Sequence, residues 1–396
     1  MAVPVTRRIR VLFVIGTMSG GGAERQVIEI LRLIDRSHFE PMLYLAKRTG
    51  ELLSLVPGDV PTFAYRDDHP ETFSQRFARC CKLSPLMRYW HLASILRREQ
   101  IDLVYDRTYH ATLDAAGATW FRPTPRIACC VVDPKPELEL HAQGRSKFVW
   151  WIARAAYRRA SLVLANSSDL RQRVIDYFQL APDRVVVCRN LIDLERLDQE
   201  IDEPFTGPSD TPFLLVAAGR LHPQKGYRYL LDAIHELVNR RDRRLKLMLF
   251  GAGEQETDLR AFVMEHRLET HIIFGGFTTK LHSWFRRAQL FVLPSLYEGL
   301  PNSLLEAVAC GTPALATDCP SGPREILEDG RLGQLVPPAD SSALADAIEA
   351  AMDHYPEWQQ RAMMARDSVR QRYDAKSGIR EFERLVKKVA RNNEQR

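Results

Sequence analysis

"IRVLFVIGTMSGGGAERQVIEILRLI" occupies residues 9–34. Its first part, 9–16, is an apolar run far shorter than a bilayer span. Three glycines follow at 20–22, and "AERQVIEILRLI" (23–34) returns apolar residues at helical spacing. Strand, glycine turn and helix in that order make one repeat of a parallel α/β sheet. Positive charge ahead of an apolar run also resembles the start of a signal peptide. The run leads into "TMSGGGAER" with no small-residue cleavage site, so it reads as a first strand.

Working outward, the same alternation continues. "EPMLYLA" (40–46), "IDLVYD" (101–106), "RIACCVV" (126–132), "SLVLANS" (161–167) and "RVVVCRN" (184–190) read as further strands. "IDEPFTGPSDTP" (201–212) is rich in Pro and Gly and reads as a linker. A second series follows: "FLLVAAG" (213–219), "LKLMLFG" (245–251), "HIIFGG" (271–276), "LFVLPS" (290–295), "TPALAT" (312–317) and "GQLVP" (333–337). The expected organisation is two doubly wound α/β domains, 1–200 and 201–375, with a cleft between them. A helix over 376–396 is expected to pack back toward the first domain. Ligands in such sheets bind beyond the carboxyl ends of the strands, so the residues after the strands are where chemistry is sought.

Composition bounds the function class. At 396 residues, 45% hydrophobic and 27% charged, the chain is globular and long enough for two cores. Residues 1–200 carry 29 Lys+Arg against 23 Asp+Glu; the totals of 55 and 50 leave 26 against 27 for the rest. The basic excess therefore sits in the first half and suggests an anionic partner there. The seven cysteines, 80, 81, 129, 130, 188, 310 and 319, form no C-x-x-C pair. Reduced thiols in a cytosol are expected, not a disulfide framework or a zinc site.

After the first strand, "GTMSGGGAER" joins glycines to a helix N-terminus, a combination that favours an anion such as phosphate. Gly20-Gly21-Gly22-Ala23-Glu24-Arg25 lacks the last glycine of a dinucleotide fingerprint, and Lys47-Arg48 stands where an acid would hold a ribose. A dehydrogenase is therefore not expected. After the first strand of the second series, "GRLHPQKG" puts Arg220 and Lys225 beside a helix start, a fitting site for a pyrophosphate. In "SLYEGLPNSLLEAVACGTP" (295–313), Glu298 stands in the turn after a strand, where it suits sugar hydroxyls or charge developing at a sugar carbon. Glu306 lies about one turn inside the following helix and suits a ribose diol. Backbone N–H groups of the turn between them can meet phosphate or hydroxyls.

"GGGAER" (20–25), "GRLHPQKG" (219–226), "EGLPNSLLE" (298–306) and "ALATDCPSGPREIL" (314–327) together resemble glycosyltransferase family 4, the large retaining family of GT-B fold. The resemblance covers nearly the whole chain and is most specific in its second half. It implies an acceptor-binding first domain and a nucleotide-sugar-binding second domain. It implies Arg220 and Lys225 on the donor diphosphate, Glu298 by the transferred sugar and Glu306 on the ribose. Leu300, Asn302 and Ser303 would offer backbone donors, while Pro301 departs from that role because it has no N–H. Gly21 and Gly22 would approach the donor phosphates or the acceptor. His110, in "YDRTYHATL", corresponds to the family's histidine, though a structural histidine fits there too.

The implied reaction moves a hexose or N-acetylhexosamine, with retention, from a nucleotide-diphosphate sugar to a glycan or lipid-linked acceptor. "TDCPSGPREIL" resembles enzymes of bacterial surface-polysaccharide assembly and favours a UDP-sugar. GDP-mannose, a nucleotide-sugar epimerase and a non-catalytic binder are the competing readings. No D-x-D occurs, so neither metal nor cofactor is expected, and nucleic acid is not expected as a partner. The expected location is the cytoplasm, with contact at the inner membrane surface. For that contact, "GRSKFVWWIARAAYRRAS" (144–161) reads as a helix with Phe148, Ile152 and Ala155 toward the core. Lys147, Trp150, Arg154 and Arg158 recur on another face, expected to meet an anionic membrane together with "RFARCCKLSPLMRYWHLASILRR" (76–98).

Overall fold

The computed structural model describes residues 7–68, 84–142, 146–202, 213–278 and 280–394. The chain divides into two compact units, Met1–Leu191 with Ala375–Arg396, and Ile192–Asp374.

The first unit is built on β1 (Ile9–Ile15), β2 (Phe39–Leu45), β3 (Thr62–Ala64), β4 (Leu103–Arg107), β5 (Arg126–Cys130), β6 (Leu162–Ala165) and β7 (Val185–Val187). Their order is β3-β2-β1-β4-β5-β6-β7, with every pair parallel. Strand β1 lies between β2 and β4, so the winding direction reverses beside it. The "GTMSGGG" loop leaves the sheet at that point, where open sheets take ligands. Val11 to Ile15 are buried, as an apolar run covered on both faces must be. Helix Ala375–Glu394 belongs to this unit. Its Phe382 ring packs 5.2 Å from Tyr105 and 6.2 Å from Phe13, and Glu383 accepts the Asp35 N–H at 2.8 Å.

The second unit holds β8 (Phe213–Ala218), β9 (Leu245–Phe250), β10 (Ile272–Gly276), β11 (Leu290–Leu293), β12 (Ala314–Thr317) and β13 (Gln334–Val336), ordered β10-β9-β8-β11-β12-β13. The division falls at Leu191/Ile192 and not at 200, because helix Leu194–Asp202 packs on helix Leu281–Arg287 of this unit. Of the expected linker, Ile201 and Asp202 end that helix, and 203–212 lie outside the described residues.

One helix is phased differently from expectation. In Ser146–Arg159, Phe148 and Ile152 are exposed, at 64% and 41%, and Ala155 is exposed beside them. The buried stripe is Ala153, Ala156, Tyr157 and Ala160. Small residues allow the helix to approach its neighbour Tyr109–Phe121 closely, so alanines decide the inner face and the bulky side chains stay outside. Trp150 and Arg154 do not stand free as expected. Trp150 donates Nε1–H to the Tyr177 carbonyl at 3.0 Å, and Arg154 donates Nε–H to the Phe178 carbonyl at 2.9 Å, tying down the end of helix Ser168–Phe178. Lys147 and Arg158 are exposed. Within the 76–98 stretch, residues 76–83 lie outside the described residues.

Candidate functional site

The site grows from two loops of the second unit. After β8, the chain makes a single turn at Pro223–Lys225, capped by the His222 ring, whose Nδ1 accepts the Gln224 N–H at 3.2 Å. Gly226 follows at φ 63, and a Cβ there would stand 2.1 Å from the Pro294 carbonyl oxygen. Only glycine lets this loop run against the end of β11. Two bonds then lace the loops: Leu296 N–H to the Gln224 carbonyl at 2.8 Å, and Gln224 Nε2 to the Tyr297 carbonyl at 2.9 Å.

That lacing delivers Lys225 to Glu298. Lys225 Nζ lies 2.5 Å from Glu298 Oε1, and Ser295 Oγ donates to the same oxygen at 2.7 Å. Glu298 is 5% exposed. Its Oε1 is saturated, while Oε2 takes no hydrogen bond among the described residues. A buried carboxylate held on one oxygen and open on the other is an oriented acceptor. Beneath it, burial and then the Glu298 charge hold the Tyr227 phenol far above its usual titration range. Burial and then Glu298 push the Cys319 thiol up to about 12, so both groups stay neutral. Arg220 is exposed and has no side-chain partner among the described residues.

Glu298 leads into the turn 299–301. Here Gly322, at φ 89, would place a Cβ 2.4 Å from the Gly299 carbonyl oxygen, so the neighbouring turn must carry glycine. Helix Asn302–Ala309 follows from Pro301, and its first helical bond runs from Leu305 N–H to the Pro301 carbonyl at 3.1 Å. The Leu300 side chain is buried, so its backbone alone can meet a ligand, and Asn302 and Ser303 are half-buried. Glu306 sits in the second turn, 3.6 Å from His282 Nε2. His282 Nδ1 lies 2.5 Å from Glu200 Oε2. Burial alone would lower the His282 pKa; the bond to Glu200 and the nearby Glu306 carboxylate reverse that and raise it to about 9. The ring is therefore an imidazolium shared by two carboxylates, and it fixes which way Glu306 faces.

In the first unit, Gly21 precedes and Gly22 opens helix Gly22–Leu33. His110 is exposed in the first turn of helix Tyr109–Phe121, 5.2 Å from the Tyr109 ring. Thr108 before it adopts φ 85, which is costly for a β-branched residue and is the kind of strain found at ligand sites. Thus Lys225 and Glu298 touch and Glu306 meets a histidine, all within one unit, while Gly21, Gly22 and His110 belong to the other. Ser295, Tyr227, Glu200 and His282 were not legible from sequence spacing. "LHSWF" carries no motif, and the partners of His282 come from two distant helices. The five described cysteines are free; Cys80 and Cys81 lie outside the described residues.

Comparisons with known proteins agree with this fold. A model of glycosyltransferase family 4 matches residues 20–196, and one of glycosyl transferases group 1 matches 212–354. The N-acetylgalactosamine-N,N'-diacetylbacillosaminyl-diphospho-undecaprenol 4-alpha-N-acetylgalactosaminyltransferase of Campylobacter jejuni is 27% identical over 197 residues, 50% of this chain and 52% of its own. The alpha-D-kanosaminyltransferase of Streptomyces kanamyceticus is 31% identical over 220 residues, 53% of this chain and 56% of its own. The chain thus spans about half the length of the curated relatives it matches. Among solved structures, Anabaena HepE in complex with UDP-glucose superposes with a TM-score of 0.79 at 23% identity, covering 96% of this chain and all of that one. Sucrose-phosphate synthase from Thermosynechococcus elongatus gives 0.75 at 16% identity, covering 97% and 99%. Two parallel-sheet units, two consecutive family models and these relatives make the chain similar to the family 4-like glycosyltransferases of GT-B fold.

Proposed function

We propose that the chain transfers a hexose or N-acetylhexosamine from a UDP-sugar to a glycan or lipid-linked acceptor, with retention and without a metal. The observation that carries this is the Lys225–Glu298–Ser295 cluster, a carboxylate oriented by two donors with one oxygen left for a sugar hydroxyl. The exposed Arg220 guanidinium and the Lys225 ammonium supply fixed positive charge at a strand end for a diphosphate. Glu306, steadied by His282, takes the ribose diol, and backbone donors come from Leu300, Asn302 and Ser303. Gly21, Gly22 and His110 face the acceptor side in the first unit, which binds the acceptor while the second binds the donor. In the reaction, the anomeric C–O bond to the diphosphate breaks and a C–O bond to the acceptor hydroxyl forms. The hydroxyl proton leaves with the departing diphosphate or to solvent. Negative charge grows on that diphosphate, where preorganised cations matter most.

Two of these similar proteins support the substrate classes. HepE is in complex with UDP-glucose, and the Campylobacter relative is named for a diphospho-undecaprenol acceptor. A screen of UDP- and GDP-sugars for nucleotide release tests the reading. Release of UDP from a UDP-hexose or UDP-N-acetylhexosamine, raised by acceptor, is expected. Release from GDP-mannose alone overturns the donor assignment. Isomerised sugar formed from donor without acceptor overturns transfer.

A further inference from the structure

We propose that the first unit docks on an anionic lipid bilayer through one face formed by three neighbouring helices, Ser84–Arg98, Tyr109–Phe121 and Ser146–Arg159. The middle helix packs against both of the others, so the three form one layer over the sheet. That layer turns large apolar side chains outward. On Ser146–Arg159, Phe148, Trp151 and Ile152 recur one helical turn apart and are exposed, Trp151 at 60%. Trp120 and Phe121 end the middle helix, at 65% and 43%, and Trp90 stands at 64% on the third.

Two contacts cross between the helices. The Trp90 and Phe121 rings lie 5.1 Å apart, and the Arg159 guanidinium sits 4.1 Å over the Trp120 ring. Single exposed aromatics are ordinary, but large apolar side chains exposed together on three adjoining helices mark an interaction surface.

Charge selects the occupant. The three helices contain one acidic residue, Asp114, and it is buried against Arg88 at 3.0 Å. Every other charge on them is basic, and Arg97, Lys147, Arg158 and Arg159 are exposed. A second copy of the same face would set these cations against each other, which disfavours self-association. Anionic headgroups complement them, while Trp and Phe enter the interfacial region and the basic heads stay with the phosphates. Among the described residues no helix is long and apolar enough to cross a membrane, so the contact is made from the surface. The proposal does not depend on the donor chemistry. It corrects the face expected from sequence, since Phe148, Trp151 and Ile152 replace Trp150 and Arg154.

Co-sedimentation of the full chain with vesicles tests it, comparing phosphatidylcholine alone with phosphatidylcholine doped with phosphatidylglycerol. Two variants are used, F148S/W151S and K147E/R158E/R159E; all five positions are exposed, so folding is retained and checked by melting. The parent should bind the doped vesicles, with salt weakening the binding. The charge variant should lose affinity on the order of 100-fold. The aromatic variant should sediment far less, and both should keep the parent's affinity for UDP. Equal partitioning of the parent to both vesicle types, or unchanged binding by either variant, overturns the proposal. A parent that is dimeric without vesicles, and monomeric as F148S/W151S, overturns it in favour of a self-association face.

Discussion

At the carboxyl end of β4 in the first unit, Asp106 is wholly buried and both its oxygens are taken. Arg126 Nη1 donates to Oδ2 at 2.9 Å and Thr112 Oγ1 to Oδ1 at 2.5 Å. At the carboxyl end of β11 in the second unit, Glu298 is almost as buried, yet only Oε1 is used. The two strands occupy equivalent places in equivalent sheets, so topology does not distinguish the two carboxylates. The difference lies in how completely their hydrogen-bonding capacity is filled. A saturated buried charge holds its fold together, and an undersaturated one beside a lysine has capacity left for a ligand.

The comparison breaks most visibly if Arg126 is replaced. Arg126→Met leaves Asp106 buried without its ion and also removes the guanidinium bonds to the Thr112 and Ala156 carbonyls. A loss of about 3–5 kcal/mol is expected, read as a lower urea midpoint for the first unit. Stability equal to the parent's would mean that the Asp106–Arg126 pair is not structural.

The cations of the second unit should act on turnover instead. Arg220→Ala and Lys225→Ala are expected to slow turnover by roughly 10²–10³. The melting temperature of Arg220→Ala should stay close to the parent's, because that side chain is exposed, whereas Lys225→Ala should melt lower, because it leaves the buried Glu298 without its ion pair. Full activity in both variants would remove the diphosphate role. EDTA should leave activity intact, and strong inhibition would bring in a metal.

Glu306→Ala should weaken UDP binding by about 1–3 kcal/mol, since the ribose diol loses a charged acceptor. Calorimetry with UDP and with 2',3'-dideoxy-UDP sharpens this. The variant should lose the preference for UDP, and a preference that persists would move the ribose elsewhere.

Much of this was written in the chain. Apolar runs bounded by glycine and turn residues marked the long strands, because a strand covered on both faces has no polar positions to blur it. β3 (Thr62–Ala64) was invisible, being three residues at a sheet edge with half-buried Thr62 and Phe63. Lys225 and Glu298 were legible because each follows a strand at a loop length that aims it outward from the sheet. In helix Ser146–Arg159 the spacing of large apolar residues points to the wrong inner face. Its alanines, which permit the close helix approach, were the decisive signal. His282 was not legible at all: its role is set by Glu200 and Glu306, which only the fold brings to it.

The smallest effect expected is a pH dependence, and it comes from that histidine. Its ordinary pKa is 6.5, and in the folded second unit it is raised to about 9 by Glu200 and Glu306 against the cost of burial. Glu200 is shifted the complementary way: burial raises its pKa, but the His282 bond and charge and Arg196 lower it overall. Between the two His282 values the folded chain holds a proton that the unfolded chain has released, so stability falls as pH rises. The contribution is therefore fully present below about pH 6.5 and is lost as pH passes through about 9. The melting transition of the second unit should drop across that window, by about 2–4 °C for each kcal/mol lost. His282→Gln keeps a polar ring-sized group without the charge, and should start lower and stay flat. A parent transition that does not move between these pH values would show that His282 is neutral in the fold. Glu306 would then be positioned by its own helix and not by the imidazolium.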